Sequence, residues 1–281
     1  MPVPPGRNDP PAFRANLAAL GARLARTRIP DADGKRRRRR LALAGAVAAG
    51  LVILLFVLAL DARSVAWGPA LPPALATFFA LATRLGESPW QLIPTGVFAL
   101  GLLFVDWRRV RRRLAAAWIE LGCLAAFYFL AIAASGMATN LVKWTVGRSR
   151  PVRFAEDGVL TLSPISFGFE HVSFPSGHTT TATAAATALA LILGARPPVV
   201  MLAFLYVLTI GLSRVMVGVH FPSDLVAGMF VGGTVTFALA HWLGARGVVF
   251  QGRADGTLLP KTIALRRQLR RRRHRADTRP A

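Results

Sequence analysis

Cysteine is almost missing from this sequence. Cys123 is the single thiol, so no internal disulfide can form and the fold must rest on packing. Lying inside an apolar run, Cys123 reads as a small buried hydrophobe. Acidic residues are scarce as well, with 13 Asp and Glu against 35 Lys and Arg and a net charge of +22. Charge of either sign is sparse at 17%, while apolar residues make up 53%. They lie in long blocks without the polar faces that a soluble domain needs, which excludes that class and points to an integral membrane protein. A net charge this high raises the question of nucleic acid. The cations, however, cluster in Lys35 to Arg40, Arg108 to Arg113 and Arg266 to Arg275, each beside an apolar span. That placement fits cytoplasmic retention and contact with anionic lipid headgroups, and no nucleic-acid partner is expected.

Residues 1–40 read as a basic cytoplasmic segment. Within them Phe13, Leu17, Leu20 and Leu24 recur at helical spacing, compatible with either a short interfacial helix or a disordered tail. Leu41 to Leu60 is uncharged and long enough to cross about 30 Å of hydrocarbon. It is too long for a removable signal and no small-residue cleavage site follows it, so it is expected to be a retained first helix. The segment Ala74 to Ala82 is too short to span and is expected near the outer interface. Further spans are expected at Trp90 to Val105, Leu114 to about Asn140, Thr179 to Leu193, Val199 to about Val217 and Leu225 to Leu243. The Ala- and Thr-rich fourth span suits close helix packing. The chain therefore reads as an all-α, six-helix membrane domain over 41–244, followed by a basic cytoplasmic tail over 245–281. Six crossings from a cytoplasmic start leave both termini inside.

Three polar islands interrupt the apolar blocks: Lys143 to Pro151, Pro175-Ser176-Gly177-His178, and Ser213 to Asp224. By the count of crossings all three fall on the outer face. An arginine in hydrocarbon costs roughly 2.5 to 3.5 kcal/mol on insertion scales, so Arg214 implies an anionic partner. Arginine presents a planar fork to phosphoryl oxygens, and lysine a movable point charge. Lys143, Arg150 and Arg214 are thus candidate phosphate ligands. The free N–H groups of a helix starting at Ser176 and Gly177 suit an anion by geometry and by dipole, and the Ser176 hydroxyl adds a donor. His220 and Asp224 are four apart at a helix start, where a carboxylate on one ring nitrogen leaves the other nitrogen free to attack phosphorus. His178 is then the acid that protonates the leaving oxygen and the base that activates water. His171, His241 and His274 read as structural. Paired histidine roles imply a bell-shaped pH profile. The surrounding cations disfavour a divalent ion, so neither a metal nor a cofactor is expected.

The islands match three signatures: Lys143-x6-Arg150-Pro151, Pro175-Ser176-Gly177-His178, and Ser213-Arg214-x5-His220-x3-Asp224. In these the chain resembles the type-2 phosphatidic acid phosphatase superfamily, the lipid phosphate phosphatases. The resemblance covers 143–224 by motif and most of the membrane region by topology. It implies metal-independent dephosphorylation of lipid phosphates through a phosphohistidine, at the outer face of a bacterial inner membrane. It assigns Lys143, Arg150, Ser176, Gly177 and Arg214 to phosphate binding, His178 to acid/base work, and His220 and Asp224 to nucleophile and orienter. Phosphatidic acid, phosphatidylglycerophosphate, prenyl diphosphate and lipid A type phosphates all remain open as substrates. A lipid phosphotransferase using the same phosphohistidine is one alternative, and a non-catalytic binder or transporter of anionic lipid is another. Soluble vanadate-dependent haloperoxidases share the constellation, but six apolar spans count against them.

Overall fold

The computed structural model describes residues 11–26, 32–252 and 257–263. His274 and the basic run from Arg266 to Arg275 lie outside the described residues. The described chain is mostly helical: α1 Ala12–Ala25, α2 Ala32–Phe56, α3 Pro73–Ala82, α4 Pro89–Gly101, α5 Arg112–Val146, α6 Gly177–Leu193, α7 Pro197–Met216 and α8 Pro222–Arg246. Proline opens α3, α7 and α8, where its missing N–H costs nothing and its fixed φ suits the first turn. The left-handed Gly194, at φ 94°, ends α6.

Four stretches among the described residues are long and apolar enough to cross a membrane: Arg39–Ser64, Arg112–Val146, Pro197–Met216 and Pro222–Arg246. The other two expected spans are shorter helices, with 13 residues in α4 and 17 in α6. Along α2 the side chains of Leu43, Val47, Leu51 and Leu54 are exposed, and Leu58, just past its end, is 75% exposed. An outward apolar surface of that extent belongs against lipid. α2 runs on through a π-helical turn, Val57–Asp61, and a last short turn to Ser64.

The chain divides into two compact units. One comprises 1–30, 92–129 and 240–281. In it the N-terminal segment takes the helical alternative: Phe13 stacks on Phe104 at 4.8 Å, and Asn16 Nδ2 donates to the carbonyls of Leu103 at 2.8 Å and Val105 at 2.9 Å. The segment expected as a tail from 245 starts folded. β1 (Phe250–Gly252) pairs antiparallel with β2 (Leu258–Pro260), and the fully buried Phe250 meets Phe127 edge-on at 4.9 Å. Val248, Val249 and Phe250 form an apolar run that the later arginines conceal when the segment is read by charge.

The other unit comprises 31–91 and 130–239. Its core includes Ala182 and Ala186 of α6 packed on Val207 and Ile210 of α7. α8 approaches α6 through glycine: a Cβ at Gly232 would lie 2.6 Å from the Thr180 carbonyl oxygen, and one at Gly228 would lie 2.7 Å from that of Ser176. This is the close backbone contact for which small residues suit a membrane helix. α5 continues past the expected end at Asn140 because Leu141, Val142 and Trp144 prolong its apolar sequence. It stops where Gly147 takes φ +62°. A Cβ at Gly147 would fall 1.7 Å from the Ser163 carbonyl oxygen, so only glycine lets the following loop fold back there.

Candidate functional site

Every residue singled out from the three signatures lies in the second unit, 31–91 and 130–239. Lys143 stands on the last turn of α5, not in the loop beyond it as the expected helix end implied. Ser176 caps α6, and Gly177 and His178 are its first two residues. Arg214 is in the last turn of α7, and Asp224 in the first turn of α8, just after His220. Two helix ends and two helix starts therefore deliver the polar groups.

Asp224 is fully buried and both its oxygens are engaged. Oδ1 accepts from Arg148 Nη1 at 2.7 Å, while Oδ2 accepts from Ser173 Oγ at 2.6 Å and from the Phe221 N–H at 2.9 Å. His220 Nδ1 lies 3.4 Å from the same Oδ2. With Nδ1–H directed at the carboxylate, Nε2 keeps its lone pair. Burial, reinforced by Lys143 and Arg150, lowers the His220 pKa to about 3. The imidazole is therefore neutral across the neutral pH range, as a nucleophile must be.

The cations are held by neutral acceptors. Lys143 Nζ donates to the carbonyls of Val172 at 2.6 Å and Ser173 at 3.2 Å. Arg150 Nε donates to Phe169 O at 2.7 Å and Nη1 to Val219 O at 3.2 Å, with the guanidinium 3.9 Å over the Phe169 ring. Lys143 is 8% exposed and Arg150 6%. Burial and the nearby Arg214 lower the Arg150 pKa to about 10, which leaves it cationic at neutral pH. Arg214 Nη1 donates to Thr83 Oγ1 at 2.7 Å, and its buried Nε has no hydrogen-bond partner among the described residues. Two buried cations and the half-buried Arg214, hydrogen-bonded among the described residues to neutral acceptors and with one donor idle, favour an anionic ligand.

Gly177 comes close to Lys143, since a Cβ there would lie 3.8 Å from Lys143 Cε. The Ser176 hydroxyl accepts from the Thr179 N–H as an N-cap, and its backbone N–H donates to Asp224 O at 3.0 Å, tying the starts of α6 and α8 together. Arg214, Lys143 and Arg150 all act electrostatically on His178. Contacts and electrostatic influence thus link the eight candidate site residues.

Several members of the site were missed by sequence reasoning. Asp61 and Arg148 form a buried ion pair at 2.7 Å, and Ser223 bonds both. Thr83 holds Arg214. Gly86 packs so closely that a Cβ there would lie 3.2 Å from His178 Cβ and Cδ2. A lone acid at the end of an apolar helix was the available signal for Asp61. Arg148 sits in an unspecified position of the first signature. Arg153, in the same loop, is taken up by Glu156, Asp157 and Glu170. His171 bonds Ser149 through Nδ1 at 3.2 Å.

The sequence profile of the PAP2 superfamily matches residues 124–247. Lipid A 1-phosphatase of Rhizobium etli is 33% identical over 194 residues, which cover 68% of this chain and 82% of that protein. Decaprenylphosphoryl-5-phosphoribose phosphatase of Mycobacterium tuberculosis is 36% identical over 155 residues, covering 55% and 76%. Among solved structures, a transmembrane PAP2 type phosphatidylglycerolphosphate phosphatase from Bacillus subtilis is similar with a TM-score of 0.48 and 22% identity, over 70% of this chain and 94% of that one.

Proposed function

The chain belongs to the PAP2 superfamily, and on that premise we propose that this integral membrane phosphatase hydrolyses phosphomonoester or diphosphate groups of lipids through a phosphohistidine. The observation that carries the reading is the buried His220–Asp224 pair, 3.4 Å apart, set beside three cations whose hydrogen-bond acceptors among the described residues are neutral. In the first step His220 Nε2 attacks phosphorus, the bond to the lipid oxygen breaks, and His178 gives that oxygen its proton. Lys143, Arg150, Arg214 and the α6 start at Ser176 and Gly177 stabilise the charge spreading over the equatorial oxygens. In the second step water attacks phosphorus, its proton passes to His178, and the P–N bond breaks to release phosphate. Asp224 keeps the His220 proton on Nδ1 throughout.

Among substrates, a phosphate on a lipid A type glycolipid comes first, because the Rhizobium etli relative, 82% of whose length is covered, is named for that group. Phosphatidic acid, phosphatidylglycerophosphate and prenyl diphosphates follow. The topology proposed with this activity has six crossings within 41–244 and the site on the outer face of a bacterial inner membrane. Its support is the basic flanks at Lys35 to Arg40 and Arg108 to Arg113. The segments 1–40 and 245–281 then lie on the cytoplasmic side against anionic headgroups.

Purified protein in detergent with excess chelator should release inorganic phosphate from a lipid phosphate at the rate seen without chelator, because three cations would repel a divalent ion. No release across the four substrate classes would overturn the reading. Loss of release on chelation, restored by a divalent metal, would overturn its metal independence.

The pH profile carries a second expectation. The pKa of His220 is lowered to about 3, so protonation removes the nucleophile only as the pH falls toward that value. Once the substrate's own ionisation is divided out, protonation of His220 should cause no fall in kcat/KM above about pH 4.5. The acid limb of the bell expected for unperturbed histidines thus moves down. A limb centred near the unperturbed value of about 6.5 would contradict the neutral, buried nucleophile.

A further inference from the structure

We propose that Asp61 is a positioning residue of the catalytic centre: acting through Arg148 and Ser223, it sets the orientation of the Asp224 carboxylate that in turn orients His220. The inference rests on the catalytic reading above and adds to it a residue from the first apolar helix, outside all three signatures.

Asp61 is fully buried and Arg148 is 4% exposed. The guanidinium of Arg148 bridges two carboxylates, with Nη2 on Asp61 Oδ2 at 2.7 Å and Nη1 on Asp224 Oδ1 at 2.7 Å. Its Nε and Nη2 also donate to Val159 O at 3.1 and 3.0 Å, and its Cζ lies 4.5 Å over the Phe221 ring. Asp61 reaches the start of α8 directly as well. Its Oδ1 accepts from the Ser223 backbone N–H at 3.0 Å and its Oδ2 from the Ser223 hydroxyl. Ser223 is the residue before Asp224, so Asp61 clamps both the backbone that carries the orienting carboxylate and the arginine that pins its Oδ1.

This division of labour matters because guanidinium and carboxylate prefer to pair as a two-bond fork. While Asp61 occupies Nη2, Arg148 can give Asp224 only Nη1, and Oδ2 stays with Ser173, Phe221 N–H and His220. With the Asp61 charge removed, the guanidinium is free to recentre on Asp224 and draw Oδ2 away from the His220 ring. Asp61 closes the π-helical turn Val57–Asp61. Such a turn inserts one residue into an α-helix and re-aims the side chains after it, a device often found at functional sites. Outer partners that orient metal-ligating histidines change activity by about 10- to 100-fold without touching substrate, and a partner that orients Asp224 should act on the same scale.

The test uses the full chain purified in detergent, with kcat and KM measured for a lipid phosphate. Asp61→Asn should lower kcat by about 10- to 100-fold while KM stays within about 3-fold, because the phosphate-binding cations do not touch Asp61. The loss should persist at temperatures where the variant is fully folded. In an Arg148→Gln background, Asp61→Asn should add little, as expected of residues acting through one linkage. Asp224→Asn is measured in parallel. If Asp224→Asn is inactive and Asp61→Asn keeps the parental kcat within about 2-fold, the positioning role is overturned and the catalytic reading stands. If Asp224→Asn keeps the parental kcat, the catalytic reading itself is overturned. Should Asp61→Asn not accumulate in folded form, Ser223→Ala carries the test: a kcat lower by about 3- to 10-fold at unchanged KM supports the role, and the parental kcat overturns it.

Discussion

Replacing His220 with alanine should lower phosphate release from a lipid phosphate by about ten-thousand-fold or more, the scale seen when a covalent nucleophile is removed from a working site. By transition-state arithmetic that is about 5.5 kcal/mol of lost stabilisation. The protein itself should survive. Asp224 would still accept from Arg148, Ser173 and the Phe221 N–H, so no buried carboxylate is left unpartnered. Lys143, Arg150 and Arg214 would also remain, and lipid phosphate should bind the variant with an affinity within about 3-fold of the parent, since uniform binding is a separate contribution. The measurements are kcat by phosphate release and a rapid quench with labelled substrate. The parent should carry an acid-labile label on protein, and His220→Ala none. A label that persists in the variant would move the nucleophile to another residue, with His178 the first to test.

What the sequence made legible follows a physical division. Lys143, Arg150, Ser176, Gly177, His178, Arg214, His220 and Asp224 could be named because each belongs to a short run in which chemistry and local helix signals coincide, such as Ser176 capping α6 and Pro222 opening α8. Asp61 could not be named as a partner, because its contact with Arg148 crosses 87 positions of sequence and no local pattern encodes that distance. Thr83 and Gly86 lay just beyond the segment Ala74 to Ala82 read as interfacial, where nothing in the composition links them to Arg214 or His178. Helix ends were similarly hidden. α5 gains six residues beyond Asn140 because Lys143 was read as part of the loop, whereas its stem can run along an apolar helix with only the amine at the polar end. The hairpin at Phe250–Gly252 and Leu258–Pro260 escaped because arginines dominate the composition of 245–281, while three apolar residues decide its fold.

His178→Ala should separate the two halves of the reaction. A lipid alkoxide is a poor leaving group and needs a proton as it departs, so turnover of a lipid phosphate should fall by about 100- to 10,000-fold, the usual contribution of a positioned acid. p-Nitrophenyl phosphate releases a stable phenolate that needs no proton, so attack by His220 should proceed at near the parental rate. Water must still be activated to cleave the P–N bond, and the residue assigned to that step is the one removed. The variant should therefore show a burst of about one nitrophenolate per active site followed by slow turnover, with labelled phosphoenzyme accumulating. The site is suited to this experiment because His178 is the second residue of α6, and alanine there leaves the Gly177 main chain and the Ser176 hydroxyl in place. Equal losses with both substrates would remove His178 from proton transfer and make it a binding residue. A burst with the activated ester, and none with the lipid, requires that the imidazole supplied the proton in the first step and took one in the second.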